Sequence, residues 1–110
     1  MRIAMHTNEV DLAEAIEAYV ERRLRFALGR FGDRVGHVAV RIGADGKANR
    51  FCHIQSELVP WGRVAVQESD PDLFSAIDRA TGRIGRLFGR ELERGRENRI
   101  GRESVRIPAA

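Results

Sequence analysis

"SDPDLFSAIDRATGRIGRLFGREL", residues 69–92, decides the fold, because it reads either as a glycine-broken loop or as a long helix. Leu73, Ile77, Ala80, Ile84, Leu87, Phe88 and Leu92 recur at steps of three and four, the period of one buried helix face. Asp70 stands where an N-cap belongs, Pro71 at the first helical position and Asp72 in the first turn. Against this stand Gly82, Gly85 and Gly89, each costing about 1 kcal/mol relative to alanine. Packing of seven apolar residues in phase offsets that cost. The stretch is therefore a helix, with its glycines together on the side away from the apolar stripe.

Upstream, a second helical pattern spans about residues 12–30, with Leu12, Ile16, Val20, Leu24, Ala27, Leu28 and Phe31 in phase. Asp11 and Glu14 have N-cap and N3 spacing, and Gly32 is a plausible stop. The rest alternates with the period of strands. Residues 2–7 put Ile3 and Met5 on one face, 35–43 put Val38, Val40 and Ile42 there, 50–59 put Cys52, Ile54 and Leu58 there, and "RVAVQE" adds Val64 and Val66. The turn at "ADGKA" needs an odd loop, such as Asp45-Gly46-Lys47, to keep both apolar sets on one face. The order is β-α-β-β-β-α. An α+β fold with two helices packed on one face of a four-stranded sheet satisfies every apolar face, and a right-handed crossover makes the first two strands parallel.

The chain has 110 residues, 43% of them hydrophobic, enough for one core. Residues 1–94 form the domain; 95–110, basic and short of apolar residues, read as a flexible tail. No run approaches the roughly 20 apolar residues of a membrane span or makes a signal peptide, so a soluble cytoplasmic protein is expected, with no membrane partner. Cys52 is the single cysteine. It and His53 are strand neighbours on opposite faces and cannot form a nucleophile–base dyad. His6, His37 and His53 face outward without metal-ligand spacing, and there is no phosphate-binding glycine loop between strand and helix. The expectation is a non-enzymatic protein with no cofactor, metal or small-molecule substrate.

The formal net charge is +3, and Lys47 is the one lysine among 19 basic residues. Codon bias in a GC-rich genome, which inflates arginine, glycine and alanine together, is one explanation of the composition, but it does not explain the placement. Arg79, Arg83, Arg86, Arg90 and Arg94 fall within about 80° of one another on a helical wheel, with Asp78 the one acid between residues 73 and 90. On the first helix Tyr19, Arg22, Arg23, Phe26 and Arg30 flank the core stripe. Side by side, the helices would share a basic groove containing aromatic residues. Like charges at helical neighbour spacing repel, and a merely soluble face would mix signs. The pattern fits a polyanion site, with arginines on phosphates and aromatics on bases. A small interaction domain with an acidic protein partner is the alternative.

"LAEAIEAYVERRLRFALGRFGDRV" (12–35) and "DPDLFSAIDRATGRIGRLFGREL" (70–92) resemble the two helices of the ribosome hibernation-promoting factor and ribosome-associated inhibitor family, the second through its Leu-Phe-x-Ala-Ile-Asp core, Leu73 to Asp78. The resemblance covers about residues 1–94. It implies a double-stranded-RNA-binding-like fold and binding to the small ribosomal subunit and its rRNA, in the channel that mRNA and tRNA otherwise occupy, which silences translation in idle cells. By position it assigns rRNA contact to Arg22, Arg23, Arg30, Arg79, Arg83, Arg86 and Arg90. Two departures stand out. "HTNEV" (6–10) replaces the family's frequent Gly-Arg after the first strand, and the chain ends before the C-terminal dimerisation domain of longer members. A short, single-domain type, monomeric off the ribosome, is expected.

Overall fold

The computed structural model describes residues 1–8 and 14–105, with Asn8 and 96–105 described in the main chain alone. Strand β1 (Arg2–Asn8) leads to helix α1 (Glu14–Leu28) and a 3-10 turn (Gly29–Arg34). Strands β2 (Val35–Asp45), β3 (Asn49–Leu58) and β4 (Arg63–Asp70) follow, then helix α2 (Leu73–Val105). The sheet order is β1-β2-β3-β4, with β1 parallel to β2 and the later pairs antiparallel. The β-α-β-β-β-α order and the parallel first pair are as the sequence implies. The proposed cap at Asp11 and the first helical residue Leu12 lie outside the described residues.

The hairpin register confirms the odd loop, one position later than expected. Asp45 pairs with Asn49 around Gly46-Lys47-Ala48, so Val40 faces Ile54 and Ile42 faces Cys52. Gly46 sits at φ +76, where an L side chain is strained. All four of these apolar residues are fully buried, or nearly so, with Val20, Leu24 and Leu28 of α1 and Ile77, Ala80, Ile84 and Phe88 of α2. Ser56 and Thr81 join this core, their hydroxyls donating to the Glu57 and Ile77 carbonyls at 3.2 and 2.8 Å. Satisfied in this way, both hydroxyls avoid the cost of a buried unpaired polar group.

Burial pushes the Cys52 thiol up to about 12, because desolvation disfavours the thiolate. The native thiol is therefore expected to resist alkylation by iodoacetamide at pH 8 and to react once the chain is unfolded in guanidinium. Labelling at equal rates in both states would place Cys52 at the surface.

Several boundaries differ from the sequence reading. Helix α1 ends at Leu28 rather than near residue 30, and the tighter turn that follows kinks at Gly32, φ +55. Helix α2 starts at Leu73. The N-cap position is therefore Asp72, whose carbonyl accepts from Ala76 N–H at 3.1 Å and whose carboxylate accepts from the Ser75 hydroxyl at 2.9 Å, rather than Asp70 with Pro71 as first helical residue; the Asp70 carboxylate accepts from Asp72 N–H at 2.8 Å in the turn before the helix. At its other end, the α2 main chain is helical through Val105, past the domain boundary read at residue 94. Arginine and glutamate dominate that stretch, and both propagate helices well. Residues 106–110 lie outside the described residues.

The glycines require a larger correction, since they do not all face away from the packing. Gly85 is buried, and a Cβ there would lie 3.1 Å from the Ala27 carbonyl oxygen and 3.2 Å from its Cβ. A Cβ at Gly89 would lie 3.3 Å from Phe31 Cζ. These positions form the contact between α2 and α1. The helices approach closely because the side chains are missing, as helix–helix contacts with small residues allow.

Candidate nucleic-acid interface

Between α1 and α2 runs an open groove of about 340 Å³, lined by Arg23, Phe26, Ala27, Arg30, Thr81, Gly82, Gly85 and Arg86. Gly85 and Ala27 form its floor by bringing the helices together. Three arginines and no acid are among its lining residues. Phe26 stands at its edge with 82% of its surface exposed, a large apolar area left in water beside cations. The expectation of a shared groove holds for Arg23, Arg30 and Arg86.

The other predicted residues are placed differently. Arg79 reaches β4, bonding Asp70 Oδ2 at 2.8 Å and Glu68 Oε1 at 3.3 Å. Arg83 bonds Glu68 Oε2 at 2.8 Å. The stripe is not free of acids after all; they come from a neighbouring strand rather than from the helix. The Asp72 N–H, and then Arg79, hold the Asp70 carboxyl below its usual range. Arg79 also donates to the Ser69 carbonyl, and Glu68 is shared between Arg79 and Arg83, so the two arginines and two acids form one partly exposed network. Together with Arg23 and Arg86 the two arginines line a second concavity of about 400 Å³. Arg90 is exposed on α2. Arg94 pairs with Glu91 at 3.0 Å, near the β3–β4 turn.

Tyr19 is not in the groove. Its hydroxyl donates to Asp78, and that bond, with burial second, raises the phenol above its ordinary value. Its ring meets Phe74 edge-on at 5.0 Å, and Arg22 lies 5.5 Å from its centroid. Asp78 also draws Arg23, whose Nε lies 3.3 Å from Oδ1. That Nε is buried and finds no hydrogen-bond partner, so the attraction is one of charge rather than an aligned bond. Asp78 thereby fixes the N-terminal end of the groove, a role that its bare presence on α2 did not signal. Arg30 lies 4.7 Å over the Phe31 ring, which holds the guanidinium at the opposite end.

The far sheet face carries His6, Arg41 and His53 in one cross-strand row. Burial, then Arg41, lowers the His53 pKa. Among the described residues no three His, Cys, Asp or Glu side chains assemble into a metal-binding set, and no described helix is long and apolar enough to cross a membrane.

The family described as Sigma 54 modulation protein / S30EA ribosomal protein matches residues 3–96. The chain belongs to that family. Among solved structures of similar fold, the N-terminal domain of Protein Y from Thermus thermophilus is 34% identical, with a TM-score of 0.72 over 82% of this chain and 98% of that one. A ribosomal subunit interface protein from Coxiella burnetii superposes with a TM-score of 0.74 over 84% of this chain and 99% of that one. At 17% identity that likeness shows the fold alone. No curated protein sequence matches the chain. The two-helix face over the sheet is thus the architecture of S30EA family members, and the groove described above lies on it.

Proposed function

We propose that this chain is a ribosome-associated, RNA-binding factor. It docks on the small subunit through rRNA, occupies the path of mRNA and tRNA, and silences translation in idle cells. It acts in the cytoplasm as a monomer, by occupancy rather than by chemistry. The reading is carried by one observation: an S30EA family member holds Arg23, Arg30 and Arg86 around a groove whose one acid, Asp78, stands at its end beside Arg23, with an exposed phenylalanine at its rim. Arginine forks bond phosphate oxygens in pairs, and an aromatic face accepts any base. Arg22, Arg79, Arg83, Arg90 and Arg94 extend the positive surface beyond the groove, with Arg79 and Arg83 exchanging Glu68 and Asp70 for phosphates.

Cosedimentation with purified small subunits tests this. Binding is expected near stoichiometry in low salt, with log affinity falling linearly against log salt at a slope of several units, as counterions leave the RNA. Translation in vitro should stop in proportion to the ratio of protein to ribosome, and excess mRNA with initiator tRNA should relieve it. Turnover at substoichiometric protein, such as rRNA cleavage, would sink the occupancy reading. Salt-insensitive binding that survives on an isolated acidic ribosomal protein would favour a protein partner.

A further inference from the structure

Trp61 is the sole tryptophan of the chain, and it is 80% exposed. It stands in the β3–β4 turn, which is braced rather than loose. Leu58 N–H donates to the Gly62 carbonyl at 2.9 Å and Val59 N–H to the Arg34 carbonyl at 2.7 Å, while Arg34 Nε–H returns to the Val59 carbonyl. Gly62 takes φ +121, open to glycine alone without strain. The ring is therefore presented to solvent by a rigid support, which lowers the ordering cost of anything that binds it.

A shallow cavity of about 180 Å³ separates this turn from α2, lined by Leu58, Trp61, Gly62, Arg63, Glu91, Arg94 and Gly95. Glu91 is its one acid and pairs with Arg94. Arg63 has no ion-pair partner among the described residues. The cavity also lies on a path from the groove. Arg86, Arg90 and Arg94 occupy successive turns of α2, so they span about 12 Å along its axis and rotate about 80° around it, from the groove toward the Trp61 turn. A strand whose backbone follows these arginines passes the indole.

We infer that Trp61, flanked by Arg63 and Arg94, is a stacking clamp for one unpaired base of an RNA strand that leaves the groove along α2. The inference rests on reading the groove as an RNA site and adds a second contact to it. An exposed indole sharing a cavity with two arginines provides what an unpaired nucleotide offers partners for: a π surface for the base and forks for the flanking phosphates. A protein partner that buried Trp61 in an apolar pocket would have to cover both arginines as well, at a desolvation cost that RNA phosphates repay directly.

Because no other tryptophan is present, indole emission, excited at the red edge where tyrosine does not absorb, reports this residue alone. Titration with a single-stranded oligoadenylate hexamer is expected to quench it. By anisotropy of a dye-labelled hexamer, Trp61→Ala should bind about tenfold more weakly and Trp61→Phe should recover most of the loss. The exposed position makes unchanged far-UV circular dichroism the expected control. Unquenched emission together with equal affinity of Trp61→Ala would overturn the clamp. If Arg30→Glu plus Arg86→Glu still weakens small-subunit binding in that case, the groove reading stands without it. If neither variant affects subunits, the groove reading fails too. Loss of subunit binding by Trp61→Ala without any quenching by RNA would assign the ring to a protein contact and overturn the inference.

Discussion

Arg30→Glu plus Arg86→Glu is expected to bind small ribosomal subunits at least a hundredfold more weakly than the unaltered chain. Both side chains are exposed and line the groove. Each supplies charge-assisted hydrogen bonds to phosphate worth roughly 1.5–3 kcal/mol, and each glutamate adds repulsion. The fold should survive, because neither residue fills the core; the main loss is the Arg30 contact with the Phe31 ring, about 0.5–1 kcal/mol. Net charge alone would also weaken binding to RNA, so a control is needed. Arg25→Glu plus Arg41→Glu makes the same change, from +3 to −1, since each substitution removes two charges. Arg25 lies on α1 pairing with Glu21, and Arg41 lies on the far sheet face. The control should weaken binding by several-fold at most and retain a salt slope close to that of the unaltered chain. Equal losses in the two folded variants would reduce the groove to a diffuse positive surface and remove it as the site.

How much of this was visible in the sequence depends on which face a residue served. The phase of α2 was legible because Ile77, Ile84 and Phe88 meet a sheet, and an apolar face against a sheet leaves a hydrophobic period of 3.6. The contact with α1 left no such period. A helix that packs on both a sheet and a helix has a second contact face, here about 100° around from the first. On α2 that face is built from Gly85 and Gly89, and a close approach made by absent side chains has no hydropathy. The arginine stripe misleads for a related reason. Its acids, Glu68 and Asp70, come from β4, and only the seating of α2 beside β4 shows which arginines they meet. Asp78 looks in the sequence like a stray acid, the one between residues 73 and 90, yet it gathers Tyr19 and Arg23 from 59 and 55 residues away. Trp61 lies in "VPWGR" (59–63), whose proline and glycine mark a turn, and nothing local indicates that α2 comes beside it. What the sequence carried was each element's own phase; what it did not carry was the pairing between elements, where the site is made.

Phe88→Ala tests that packing at its centre and should cost about 3–5 kcal/mol in a urea melt. Phe88 heads the largest fully buried side chains, and its ring packs on Phe31 with centroids 4.8 Å apart at a 30° tilt. Truncation removes the apolar area and that aromatic contact and leaves a cavity between α2, the turn after α1 and the sheet, too constrained by Gly89 and Phe31 to collapse fully. Against a typical total of roughly 5–15 kcal/mol, the loss would leave a marginal domain at 37 °C. Phe88→Leu retains most of the apolar volume and should cost appreciably less. The effect should also reach the groove. Phe31 is the ring over which Arg30 is held, so loosening it frees the guanidinium and adds an ordering cost to each phosphate contact. At 10 °C, where the alanine variant should still fold, small-subunit binding should therefore weaken by a few-fold, without the hundredfold loss of charge reversal. A melt showing less than 1 kcal/mol for Phe88→Ala would mean that α2 is rotated about its axis, with Phe88 turned out of the core. Arg86 would then no longer face Arg23 and Arg30 across the groove, and the site would have to be rebuilt on another side of the helix.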